Sequence, residues 1–335
     1  SHDLLLDVEV DQESAWLAVG GGAWTLLHVE AEAGAFPVEY RPVPGDRVTV
    51  AGRWVFDCGH DPRTEVHPAA VVASEYEDWR ADIAGMPQRV KILQVWMNSA
   101  PGMVGVPLAP LDLRVDFPSR PRGQADPLVQ VAVGPSAAVT WTIQSEPGSP
   151  PVARVRIEPP EPDGSAYFEI VLGYEGAAPT RNPPAAYAVA FDRIMVHDDL
   201  RRKARNTTGV PLDLAWPQLG FPGTGRWVMQ AIVNHSWRSL LDFAAVESGG
   251  TYSLADVPPV PVLAASSERL SLSITGYAEN DPSDGVELTS GGTHRPNMVT
   301  WDAGWLADLC CGKVQTFTPD HGAWTLSYTV NRAAP

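Results

Sequence analysis

Within the stretch Phe56-Asp57-Cys58-Gly59-His60-Asp61-Pro62-Arg63-Thr64-Glu65-Val66-His67-Pro68 a thiol, two imidazoles and a carboxylate lie close together in sequence. Thiolate, imidazole and carboxylate form a borderline-soft donor set that suits Zn²⁺, with Ni²⁺, Co²⁺ and Fe²⁺ as competitors. If Cys58, His60, Glu65 and His67 all bind, the site is closed and structural. If Glu65 stands off, three ligands and one water make a catalytic position, and Glu65 becomes its general base. Asp57 or Asp61 can then orient an imidazole through its second nitrogen. Cys58 beside an imidazole also has the makings of an activated thiolate, although no helix start or further glycine turn supports an oxyanion hole.

Such chemistry needs a frame. Residues two apart on a strand share a face, so Cys58 pairs with His60 and Glu65 with His67, while Val66 points away. Asp61-Pro62-Arg63-Thr64 has hairpin-loop composition. A hairpin closed there sets His60 opposite Glu65 and Cys58 opposite His67, with directly paired Cβ atoms about 4.5–5.5 Å apart. The same alternation places Trp54 and Phe56 together, with at least one expected in an interior. A purely structural alternative has Cys58 in a core, Glu65 paired with Arg63 or Arg53, and His67 ending a turn before Pro68.

The rest of the chain reads as short strands. Alternating or β-branched runs occupy 4–10, 24–30, 47–56, 90–96, 128–143, 152–158, 167–173, 227–233, 270–277 and 324–331, mostly bounded by Gly, Pro, Asn or Asp. Helix is expected only at 78–84, 199–206 and 236–245. A Gly-x-Trp pattern opens several apolar runs, at Trp24, Trp54, Trp227 and Trp324. A chain of 335 residues exceeds one ordinary domain. Composition shifts near 80–88 and 200–225 suggest three parts: a small N-terminal β-barrel of the oligonucleotide/oligosaccharide-binding type over 1–82, and two β-sandwich-like units over 83–212 and 213–335. The fold class expected is mainly β.

Residues 40–75 resemble an uncharacterised bacterial family of such barrel-like domains. The resemblance rests on Gly52-Arg53-Trp54 followed by Glu65-Val66-His67-Pro68, where that family carries Glu-Ile-His-Pro. It implies a barrel fold and no particular activity.

Composition narrows the partners. A formal net charge of −16 repels phosphate backbones, so nucleic acid is not an expected partner. No run of 18 apolar residues offers a transmembrane segment. Cys310 and Cys311 are adjacent and Cys58 stands apart, so all three are read as thiols. The opening Ser1-His2-Asp3 shows neither an initiator Met nor a signal pattern, which points to a trimmed chain and leaves the compartment and oligomeric state open.

Asp198 and Asp199, and the loop carrying Glu279, Asp281 and Asp284, offer the hard oxygens that Ca²⁺ prefers, without the spacing of a helix-loop-helix calcium motif. Trp216, Trp227, Trp237, Trp301, Trp305 and Trp324 crowd the last third, either as core or as stacking platforms for a small-molecule or carbohydrate ligand. Three functions follow in order: a metal-containing binding or scaffolding protein, a metal-dependent hydrolase using a metal-bound water, and a metal-free isomerase or cyclase with an apolar pocket.

Overall fold

The computed structural model describes residues 4–19, 26–31, 36–58, 63–80, 87–99, 108–121, 125–146, 148–161, 164–175, 184–197, 224–247, 249–265, 267–279, 286–287, 298–319 and 324–333. The chain is mainly β, as its alternating patterns require, and divides into two compact units, Ser1–Pro183 and Pro184–Pro335.

The first unit holds β1 (Leu4–Glu9), β2 (Leu26–Ala31), β3 (Arg47–Asp57), β4 (Arg63–Arg80), β5 (Gln88–Asn98), β6 (Leu111–Asp116), β7 (Asp126–Val133), β8 (Val139–Gln144), β9 (Val152–Ile157) and β10 (Ser165–Glu175). Seven of these form one sheet in the order β1-β2-β4-β5-β10-β7, with β3 paired to β4 beside that path; β6, β9 and β8 form a second sheet. The organising strand is β4. Its 18 residues pair parallel with β2 at Glu65 and Val66, and antiparallel with β3 and with β5.

Alternation sorts these strands into two cores. Val71, Ala73, Leu93, Val95, Phe168 and Ile170 face Val115, Val155 and Ile157 of the smaller sheet. On the other side Leu27, Val29, Val66 and Val72 gather around Trp96 and Phe36, whose rings lie 4.8 Å apart. Burying one such large side chain contributes on the order of 2 kcal/mol.

The second unit holds β11 (Ala185–Val196), β12 (Thr224–Val233), β13 (Ser236–Glu247), β14 (Thr251–Ser253), β15 (Val260–Ala264), β16 (Arg269–Glu279), β17 (Val286–Glu287), β18 (Met298–Trp305), the short helix α1 (Leu306–Leu309), β19 (Val314–Phe317) and β20 (Trp324–Arg332). Two five-stranded sheets, one built on β11 and β20 and the other on β12 and β16, contribute to one buried cluster that contains Trp227 and Trp324.

Several expectations change. Among the described residues no sheet closes into a barrel. The strands of residues 1–80 do not stand alone, because β4 pairs with β5 from Val71↔Met97 to Arg80↔Gln88 and so spends its free edge on extending the sheet. The boundary expected near 82 therefore falls inside a continuous sheet, and the one expected near 212 lies outside the described residues. Trp54 and Phe56 are both exposed rather than interior. They continue the stripe begun by Val48 and Val50 on an edge strand, beyond the point where the core covers it. The run 128–143 is two strands, β7 and β8, separated by Gly134 with positive φ and a 3₁₀ turn at Ser136–Ala138. Residues 236–245 are strand β13, paired along β12, and Asp78 to Arg80 belong to β4. The expected helix at 199–206 lies outside the described residues. Cys310 and Cys311 are joined as a disulfide, so Cys58 is the free cysteine.

Candidate metal centre

A polar face of the N-terminal sheet carries the chemistry. Asp7 on β1 pairs with His28 on β2, His28 pairs with Glu65 on β4, and Glu65 pairs with Val55 on β3. Cross-strand partners share a face, so Asp7, His28 and Glu65 stand in one row. Two residues along on the same face stand Glu30 and His67. The intervening Leu27, Val29 and Val66 turn the opposite way into the core, which fixes the register: a slip by one residue would bury the charges and expose the aliphatics.

His28 and Glu65 are each only 4% exposed. His28 Nδ1 lies 2.9 Å from Asp7 Oδ1 and Nε2 lies 3.3 Å from Glu30 Oε1. His67 Nδ1 lies 3.1 Å from Glu30 Oε2 and 3.4 Å from Glu65 Oε1. Burial would lower the proton affinity of His28, but hydrogen bonds to Asp7 and Glu30 outweigh it and push its pKa up to about 9. Without a metal, the ring is therefore an imidazolium donating from both nitrogens. The hydrogen bond from His28 holds Glu30 below the usual carboxylate range, against the effect of burial. Glu65 moves the other way, because burial and then the neighbouring charges of Glu30 and Asp57 disfavour its ionised form.

One ligand atom from each of His28, Glu30 and Glu65 can be chosen so that all lie within 4.8 Å of one another. A tetrahedral zinc ion with bonds of about 2.0–2.2 Å needs donors roughly 3.4 Å apart, so the side chains would draw in on binding. Asp7 is placed as an outer partner: Nδ1–H of His28 donates to it, which leaves Nε2 for the metal. His67 lies beside Glu30 and Glu65 on the more open side, its side chain 37% exposed and outside this three-residue group. Three carboxylates against two imidazoles, with the Arg63 guanidinium acting on His28 and Glu30 only through space, make a site that a divalent cation would neutralise.

Of the residues expected from the sequence, Glu65 and His67 are brought together. Cys58 is exposed at the end of β3 and is not in this group. His60 lies outside the described residues. Strands β3 and β4 do pair antiparallel, but Asp57 faces Arg63, so Val55 and not His60 faces Glu65. Thr64 is already strand: its N–H donates to the Val19 carbonyl and its hydroxyl accepts from Val19 N–H. Asp7, His28 and Glu30 were missed, although His28 and Glu30 alternate with Leu27 and Val29 in a run read as a strand, and that was the available signal.

The calcium candidates Asp198, Asp199, Asp281 and Asp284 lie outside the described residues, and Glu279 ends β16. Trp227 and Trp324 are core, while Trp305 is exposed beneath the Arg269 guanidinium, 4.8 Å from the ring centre. Among the described residues no helix is long and apolar enough to cross a membrane. Comparison with family models, with curated proteins and with solved structures returned no match.

Proposed function

We propose that this is a metal-containing β protein whose N-terminal sheet binds one divalent transition metal, zinc fitting best, through His28, Glu30, Glu65 and His67, with Asp7 orienting His28. The two layered units serve as a sandwich-like scaffold for a binding role. The observation that supports the reading is the convergence of one imidazole and two carboxylates from β2 and β4 on one largely buried patch, with the half-open His67 beside them. Nitrogen and oxygen donors in this ratio suit zinc and its first-row neighbours, whereas calcium prefers oxygen alone. Cys58 stands outside this set.

A second reading, hydrolysis by a metal-bound water, draws on Glu65. Its raised proton affinity beside the half-open His67 suits a group that takes a proton from such a water. Glu65→Gln separates the two. As a ligand, Glu65 is needed for retention, so the variant loses metal and melts lower. As a base, it leaves metal content near wild type and turnover of a small ester or glycoside falls by roughly 10²–10⁴-fold. If metal content, melting temperature and rate are all unchanged, both readings fail.

A further inference from the structure

Strand β3 pairs with β4 along one side, and no described strand pairs along the other. Unpaired edges are usually protected by Pro, Lys or bulges. Between Val48 and Phe56 the strand has no Pro, no Lys and a single charge, Arg53. The irregularities in the β3–β4 ladder are taken up by β4. Its partners for Ala51, Gly52 and Trp54 are Val71, Ala69 and Val66, so the extra residues belong to β4 and β3 stays regular. On the core-side face of this edge Trp54 is 47% and Phe56 55% exposed, and Trp16, 64% exposed, stands edge-on to Trp54 with ring centres 6.0 Å apart.

We propose that β3 is a dimer interface, joined antiparallel to β3 of a second copy about a two-fold axis through Val55. The axis must pass through a residue, because one passing between residues would set a core-face side chain opposite a polar-face one. Through Arg53 it would set like charges face to face. Through Trp54 it would leave Arg53 opposite Val55. Through Val55 it sets Arg53 opposite Asp57 of the partner subunit and Trp54 opposite Phe56 of the partner subunit, each pair occurring twice by symmetry. Opposite charges and aromatic pairs are the cross-strand contacts that stabilise a sheet. The register is thus self-complementary in charge and in ring stacking, as a two-fold interface demands.

Sedimentation velocity over a concentration series tests it, with circular dichroism to check each variant's fold. The wild type is expected to dimerise reversibly. Arg53→Asp, which faces two like-charged pairs, and independently Phe56→Lys should each weaken the dimer about tenfold or more. The double variant Arg53→Asp with Asp57→Arg swaps the charges and should restore it. A wild type that stays monomeric overturns the proposal. So does a dimer indifferent to both single variants, a loss in Arg53→Asp that the charge swap does not restore, or a dimer that responds instead to Trp141→Lys on the exposed edge strand β8.

Discussion

Raising the pH of the metal-free protein removes the proton that holds His28 between Asp7 and Glu30. Its pKa is about 9 in the fold against an ordinary 6.5. A group with a raised folded pKa contributes stability that is fully present below its unfolded pKa and is lost as pH rises through the folded one. The window is therefore about pH 6.5 to 9. At 1.36 kcal/mol per pH unit the loss is on the order of 3 kcal/mol, and His28 is buried, so solvent screening takes little from it. For a folding unit of this size that corresponds to a fall of roughly 6–12 °C in melting temperature.

The assay is thermal unfolding of chelator-treated protein in steps from pH 6 to 10, for wild type, His28→Gln and Asp7→Asn. His28→Gln should remove the alkaline decline attributable to this ring. Asp7→Asn, which removes the negative charge from the stronger of its two hydrogen-bond acceptors, should shrink the decline to about half and move its midpoint to lower pH. Zinc should abolish the decline between about pH 6.5 and 9, since it displaces the proton from Nε2 and the zinc-bound ring then holds no more protons than the unfolded one. A wild-type profile that is flat across this window, or a His28→Gln profile that falls just as far, would refute the argument.

Three further outcomes follow. Acidification should cost stability through Glu30, whose lowered pKa contributes stability above its unfolded value that is lost as pH falls through the folded one, so Glu30→Gln should melt with a shallower acid limb. Cys58→Ser should leave zinc stoichiometry unchanged by elemental analysis and shift stability by less than about 0.5 kcal/mol, because the side chain is exposed and outside the site. Gly52→Ala should destabilise by about 1–3 kcal/mol in denaturant melts, since an added Cβ would meet Pro68 O at 2.5 Å and Val66 Cγ1 at 2.6 Å and push β4 beside His67.

Local pattern made much of this molecule legible. Leu27, Val29 and Ala31 alternating with His28 and Glu30 describe β2 and both of its faces through residue order alone. Glu65 and His67 share a face across core-facing Val66 for the same reason. Pairing between distant segments was not legible. Nothing near Glu65 signals that its neighbour is His28, because parallel pairing leaves no turn sequence to read. The hairpin register differs from the one its composition suggests because Thr64, a loop-type residue, is strand, paired with Phe56 and tied to Val19. In β13 the doublets Leu240-Leu241 and Ala244-Ala245 mimic a helical stripe, and irregular pairing with β12 breaks the two-residue alternation that would have corrected the reading. The exposure of Trp54 and Phe56 was hidden likewise, since apolar alternation reports a shared face and not whether anything covers it.

The most direct test of the metal centre is X-ray absorption at the zinc edge of protein purified without a histidine tag and loaded with one equivalent of zinc. The account predicts a first shell of nitrogen and oxygen alone at about 2.0–2.2 Å, with the outer-shell scattering of two imidazoles and no sulfur. A sulfur neighbour near 2.3 Å, which would bring Cys58 into the site, or failure to retain stoichiometric zinc, would contradict it.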